Sequence, residues 1–157
     1  MKIAVFGNIY RPVILSHIEL LFNYFKEKDV VLMFEEELYH FIKEKLNCCL
    51  EHVEIIKNVD FEANIALSIG GDGTFLNTAA QVGAKEIPIL GINTGRLGFL
   101  ADVPSENLSL ALEAIMSQNY RIEDRSLLFV EASDGTQFEF PYALNEVSVL
   151  KQDSSSM

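Results

Sequence analysis

Four short apolar runs, each leading into a stretch of helical periodicity, constrain what this chain can fold into. Ile3 to Phe6, Val30 to Phe34, Ile65 to Ile69 and Pro88 to Ile92 have strand length, and an unbroken apolar run reads as a strand buried on both faces, as in a parallel sheet. After the first, Pro12 opens a stretch in which Ile14, Ile18, Leu21, Phe22 and Phe25 recur at helical spacing, while Glu19, Lys26, Glu27 and Lys28 supply a wet face. Glu35 to Leu46 follows the second run, and Glu35, Glu36 and Glu37 suit the positive end of a helix dipole. Consecutive helical positions point in different directions, so these glutamates read as a solvated helix start rather than a metal site. The third run is bounded by Asn64 and by Gly70-Gly71, and Thr74 to Val82 then reads as a helix closing at Gly83. The fourth leads on to Leu108 to Met116, helical after Ser105 as N-cap. Strands alternating with helices predict a parallel α/β sheet with helices on both faces.

Beyond Tyr120 the texture changes. Leu127 to Glu131, Gln137 to Phe140 and Glu146 to Leu150 are strand-like with no helix between them, and Asp134-Gly135 supplies a turn. The sequence therefore divides into a Rossmann-like α/β domain over 1–120 and, over 121–157, the incomplete beginning of an antiparallel, all-β second domain. There is no internal repeat, and the one biased segment, Ser154 to Ser156, reads as tail or loop.

Of the 157 residues 49% are hydrophobic, enough for a real core in one domain and part of another. The formal net charge of -11 argues against nucleic acid or an anionic membrane surface as partner, since both require a basic footprint. Any phosphate must be held locally, by backbone amides, a few Arg or Lys residues or a divalent cation. The two cysteines, Cys48 and Cys49, are adjacent, which suits neither a disulfide framework nor a zinc knuckle. The opening residues run straight into a strand rather than a secretory leader, and no run is long enough to span a bilayer, so a reducing, cytoplasmic setting is expected.

The strongest local signal is GGDGT, Gly70 to Thr74, set between a strand and a helix. Glycines let a phosphate approach the main chain, and free amides at the following helix N-terminus favour an anion. A tight strand-to-helix turn with no ligand would also use glycines. Asp72 favours the ligand, because a carboxylate beside a phosphate cradle is electrostatically awkward unless it serves a hydroxyl or a metal. The combination suggests phosphoryl transfer to an alcohol, with Asp72 accepting the hydroxyl proton or helping to hold the cation.

A second segment, Gly91 to Asp102 (GINTGRLGFLAD), starts at the end of the strand Pro88 to Ile92. Ligands of open α/β sheets bind beyond the carboxyl ends of strands, so this loop and GGDGT should face one crevice. Arg96 is the nearest cation to either loop in sequence and could counter a phosphate, while Phe99 could simply anchor a solvated loop in the core. A third candidate is Asn145-Glu146, whose amide and carboxylate could read ribose hydroxyls or merely shape a turn.

Taken together, GGDGT at Gly70 to Thr74, NTGRLGFLAD at Asn93 to Asp102 and LNE at Leu144 to Glu146 resemble the NAD kinase family. GGDGT alone is shared with diacylglycerol and sphingosine lipid kinases and, in a close variant, with phosphofructokinases; the other two segments and their order decide. The resemblance covers nearly the whole chain. It implies that Asp72 accepts the proton of the 2′-hydroxyl of the adenosine ribose of NAD, with Gly73 close to the NAD, Phe99 lining the adenine pocket, and Asn145 with Glu146 contacting NAD. It further implies ATP, or in some members polyphosphate, as phosphoryl donor with Mg²⁺ or another divalent cation, and a homodimer or homotetramer. Gly70, Gly71, Thr74 and Arg96 are the phosphate-binding candidates, and the resemblance leaves the role of Arg125 undefined.

The family pattern continues into a longer β-rich domain with a Thr- and Gly-rich segment that completes the NAD site, and nothing in the present sequence matches it. The expectation is a chain that ends within its second domain and is weakly active or inactive alone. Two readings compete. A diacylglycerol-type lipid kinase would need a basic or apolar membrane-facing surface, which the net charge opposes. A non-catalytic nucleotide-binding fragment would keep the crevice without the chemistry, and binding without turnover would distinguish it.

Overall fold

A computed structural model describes residues 1–46, 53–95, 98–101 and 103–149. Cys48, Cys49, Arg96, Asp102, Leu150 and Ser154 to Ser156, all used above, lie outside the described residues.

The chain begins with β1 (Lys2–Gly7), α1 (Ile14–Phe25), β2 (Val31–Glu35), α2 (Glu36–Lys45) and β3 (Val53–Ile56). It continues with β4 (Ile65–Gly70), α3 (Asp72–Val82), β5 (Ile89–Asn93), β6 (Val103–Pro104) and α4 (Leu108–Met116). The six strands form one parallel sheet in the order β3-β2-β1-β4-β5-β6. This is the Rossmann-like α/β architecture the alternation predicts, with β1 and β4 at the centre. Both central strands are buried along their apolar runs, as parallel strands covered on both faces should be.

The residue-by-residue alternation of a strand sorts the core into two layers. Ile3 and Val5 of β1 pack in one layer with Ile14, Ile18 and Leu21 of α1, Leu38 and Ile42 of α2, and Leu108 and Leu112 of α4. Ala4 and Phe6 face the other way, with Val82 of α3 and the loop residues Phe61 and Ile87. Helices therefore lie on both faces, three on one and α3 on the other. Leu21, Leu38 and Ile42 are each 0% exposed, and full burial of such a side chain stabilises the fold by about 1.5–3 kcal/mol.

Several expectations are corrected. The run at Val53 to Ile56 and the two-residue strand Val103–Pro104 form the sheet's edges and went unassigned in the sequence reading. Glu35 ends β2 rather than starting α2, and its carboxylate accepts a hydrogen bond from Gln81 Nε2 at 2.7 Å. Ser105 opens a short 3-10 turn (Ser105–Asn107), and the N-cap of α4 is Asn107, which forms no side-chain capping bond.

After α4 the described chain adds one antiparallel pair, β7 (Leu128–Phe129) with β8 (Tyr142–Ala143). A turn near Asp134 lies between them, with Gly135 at φ +81 and the Thr136 N–H donating to Asp134 Oδ1 at 3.0 Å. The antiparallel character is as expected, but Gln137 to Phe140 and residues 146–149 carry no strand, and the second strand forms instead at Tyr142–Ala143.

Candidate active site

The strand order changes direction at β1 and β4: from β1 the chain winds outward through β2 and β3, then returns to lay β4 on the other side of β1. Loops leaving the carboxyl ends of these two strands must diverge there, and the gap is where open α/β sheets hold ligands. Gly7 ends β1, Gly70 ends β4 and Asn93 ends β5, and Gly70 stands opposite Asn93 in register. An open cleft of about 460 Å³ lies beyond them, lined by Arg11, Gly71, Asn93 and Gly95.

Gly70 permits the close strand-to-helix turn, since a Cβ there would collide with the side chain of Thr74, one turn into α3. The helix is then pinned beneath the turn. Thr78 Oγ1 donates to the Thr74 carbonyl at 2.9 Å and lies 3.0 Å from the buried Ser68 Oγ on β4. Gly71 and Gly73 differ from Gly70: nothing lies within 4 Å of where their side chains would project. Gly71 is the N-cap of α3 and makes no side-chain cap, so the first-turn amides of this eleven-residue helix have no partner within the helix itself.

Because α3 starts at Asp72 rather than at Thr74, the carboxylate stands in the first helical turn. It reaches across to the β5–β6 loop. Oδ2 accepts the Phe99 N–H at 2.8 Å, and Oδ1 accepts those of Leu100 at 3.0 Å and Ala101 at 3.2 Å. The Phe99 N–H, then that of Leu100, hold the Asp72 carboxyl below the usual carboxylate range; burial opposes them and the Ala101 N–H adds to the lowering. The approach is so close that a Cβ on Gly98 would overlap the carboxylate oxygens.

Asn93 secures the same loop from below. It is 4% exposed; its Nδ2 donates to the Ala101 carbonyl at 3.2 Å and its Oδ1 accepts the Gly95 N–H at 2.8 Å. The loop is thus tied to the end of β5 at both its departure and its return. Phe99, carried on this clasped segment, is 98% exposed. It does not anchor the loop in the core, and its ring projects from a backbone held rigidly at Asp72.

Gly70, Gly71, Asp72, Gly73 and Thr74 follow one another at the turn from β4 into α3, Asp72 joins the Phe99 backbone to that turn, and Gly71 lines the cleft. Asn145 and Glu146 are exposed and follow β8, whose Tyr142 ring packs near Gly83, at the far end of α3 from Asp72. Among the described residues no hydrogen bond joins them to the Asp72 loop. Arg125 pairs with Glu123 at 2.9 Å on the surface. Among the described residues the cation lining the cleft is Arg11, which sequence reasoning missed. The available signal was its position just past Gly7, in the loop leaving the carboxyl end of the first strand. Asn93 was noted only as part of a loop, because neither of its bonds can be read from spacing.

Comparison with known proteins places the chain beside one family. A family model described as the ATP-NAD kinase N-terminal domain matches residues 10–120. A curated NAD kinase of Bacteroides fragilis is 43% identical over 157 residues, spanning 100% of this chain and 54% of its own length. One from Porphyromonas gingivalis is 36% identical over 156 residues, with 99% and 54% covered. A third, from Methanothermobacter thermautotrophicus, is 45% identical over 116 residues, with 74% and 39% covered. The chain thus spans about half the length of the curated relatives it matches along its whole extent. A crystal structure of yeast NADH kinase complexed with NADH superposes with a TM-score of 0.70 at 16% identity, covering 85% of this chain and 44% of that one; this is a likeness of fold.

Proposed function

The chain belongs to the NAD kinase family, and from that premise we propose that it carries the phosphoryl-transfer site of an enzyme that moves a phosphoryl group from ATP to the 2′-hydroxyl of the adenosine ribose of NAD, giving NADP. The observation that carries this reading is the placement of Asp72: an ionised carboxylate at a helix N-terminus, beside an open cleft and under a loop that presents an exposed aromatic ring.

Among the described residues Asp72 Oδ1 accepts two N–H groups and Oδ2 one. A carboxylate oxygen has room for two, so Oδ2 keeps a lone pair for an incoming hydroxyl. With its pKa lowered, Asp72 is a fixed anion at neutral pH that orients the hydroxyl and takes its proton late. Phosphoryl transfer through a loose transition state places its main demand on positioning and charge stabilisation, so a strong base is not required. The amides after Gly71 and its open face, with Gly70 and Thr74 shaping the turn beside them, would hold the donor's phosphates. Gly73 and Phe99 would meet the NAD, the ring stacking on adenine, and Asn145 with Glu146 would contact its ribose.

Among the described residues no group of three or more His, Cys, Asp or Glu could cage a metal. That donor set fits Mg²⁺ arriving with ATP, since this ion keeps several waters and needs only one or two carboxylates beside substrate phosphates. When bound it would neutralise charge on the phosphoryl oxygens, with Asp72 as the carboxylate within reach. Association into homodimers or homotetramers and a cytoplasmic setting belong to the same proposal; no helix among the described residues is long and apolar enough to cross a membrane.

The test is NADP formation from NAD, ATP and Mg²⁺ by a longer native chain containing these residues, beside its Asp72→Asn variant. A loss of about 100-fold or more in the variant is expected from removing a positioned proton acceptor. A folded longer chain that makes no NADP would overturn the proposal, and lipid or other alcohol acceptors would be tried next.

A further inference from the structure

We infer that Arg11 binds the phosphate chain of the phosphoryl donor, an inorganic or nucleoside polyphosphate, in the cleft it shares with Gly71, Asn93 and Gly95. The inference deepens the kinase proposal, on which it rests only for the identity of the donor.

The loop that carries Arg11 is built rather than loose. Asn8 Oδ1 accepts the Tyr10 N–H at 2.9 Å and the Asn8 carbonyl accepts the Arg11 N–H at 3.2 Å. The Arg11 carbonyl in turn accepts the Ile14 N–H at 3.0 Å, joining the loop directly to α1. The backbone of Arg11 is therefore fixed between the end of a central strand and a packed helix.

From there the guanidinium crosses to the far wall of the cleft. Nη1 lies 2.6 Å from where a Cβ on Gly95 would stand, so the exposed guanidinium tip rests against the Gly95 backbone. Gly95 is itself held by Asn93, which makes this approach a property of two anchored loops. Among the described residues the ion pairs are Lys2 with Glu54, Lys45 with Glu44 and Arg125 with Glu123; Arg11 has none. In a chain of net charge -11, the Arg11 guanidinium brings a local positive charge to the cleft.

Two sources of positive potential thus border the same 460 Å³ space. One is the planar guanidinium, which matches phosphate oxygens with two parallel N–H bonds. The other is the uncapped start of α3 at Gly71, open on its outer side. The nearby Asp72 carboxylate is ionised, and the three N–H groups of Phe99, Leu100 and Ala101 into which it is turned partly offset its charge.

The experiment is calorimetric titration of inorganic tripolyphosphate into the 157-residue chain and its Arg11→Gln, Arg11→Lys and Arg125→Gln variants. Arg11→Gln is expected to weaken binding about tenfold or more, as for loss of a charge-assisted bidentate contact, with Arg11→Lys intermediate. Arg125→Gln removes the same charge from an exposed pair and should stay within about twofold of the parent. Absence of binding by the parent, equal binding by Arg11→Gln, or an equal loss in Arg125→Gln would each overturn the inference. In a longer native chain, Arg11→Gln should raise the KM for ATP and leave that for NAD unchanged. Arg11-dependent tripolyphosphate binding without any NADP formation would sink the kinase proposal and leave the anion site standing; NADP formation with an unchanged KM for ATP in Arg11→Gln would do the reverse.

Discussion

Asp72 holds a loop and, in the proposed reaction, a hydroxyl, and the two roles meet on one carboxylate. Gly98 makes the first possible, so Gly98→Ala should push the Phe99–Ala101 segment off the oxygens. We expect the Asp72 pKa to rise toward the ordinary Asp value, followed by carboxyl NMR titration, and the KM for NAD to rise because Phe99 loses its support. The pH dependence follows from the same bonds. The pKa of Asp72 is lowered in the folded state, so its contribution to stability is fully present above the unfolded value of about 3.9 and is lost as pH falls through the folded value. Parent and Asp72→Asn should therefore differ in stability near neutrality and converge in acid, as measured by urea unfolding across pH; a gap that persists unchanged in acid would contradict the clasp. Asp72 and Phe99 could be singled out from their neighbours in sequence, whereas the hydrogen bond between them spans 27 residues and no local pattern encodes such a pairing.

The seam between β4 and α3 sets the position of that carboxylate. Thr78 satisfies the buried Ser68 hydroxyl from below the glycine turn, so Thr78→Val keeps the shape and strands a polar atom. A loss of about 1–3 kcal/mol in unfolding free energy is expected, readable by denaturant titration, together with a looser α3 start. The elements that carry this seam were legible because each long one has a strong period: α1 (Ile14–Phe25) and α4 (Leu108–Met116) span the residues their apolar spacing indicates. Those that were missed have little pattern to offer. Val53–Ile56 contains the outward Glu54, which pairs with Lys2 on the surface, and Val103–Pro104 is a two-residue edge whose proline cannot donate to a ladder. Tyr142–Ala143 likewise forms only two residue pairs with β7, a partnership fixed by tertiary packing rather than by alternation. The start of α3 was placed two residues late because Gly73 argues against a helix locally, and packing on β4 overrides it.

At the scale of the molecule, the sheet body and the segment after Tyr120 differ in how they are held. Ile122 is 61% exposed, Phe129 61% and Val149 94%, and residues 121–127 form no helix or strand. Limited proteolysis of the chain should therefore cut first within 121–127 and leave a body ending near Tyr120, identified by intact mass; a first cut inside β1, β4 or β5 would count against the proposed boundary. Parallel strands also give the body a front and a back. All six send their carboxyl ends to the edge that holds the cleft, while Met1, whose amino group donates to the Asp29 carbonyl at 3.1 Å, sits at the opposite edge. Six-residue β1 separates the two by about 20 Å. A biotin or polymer attached at the amino terminus would thus fix the protein to a sensor surface with its cleft turned toward the flowing solution.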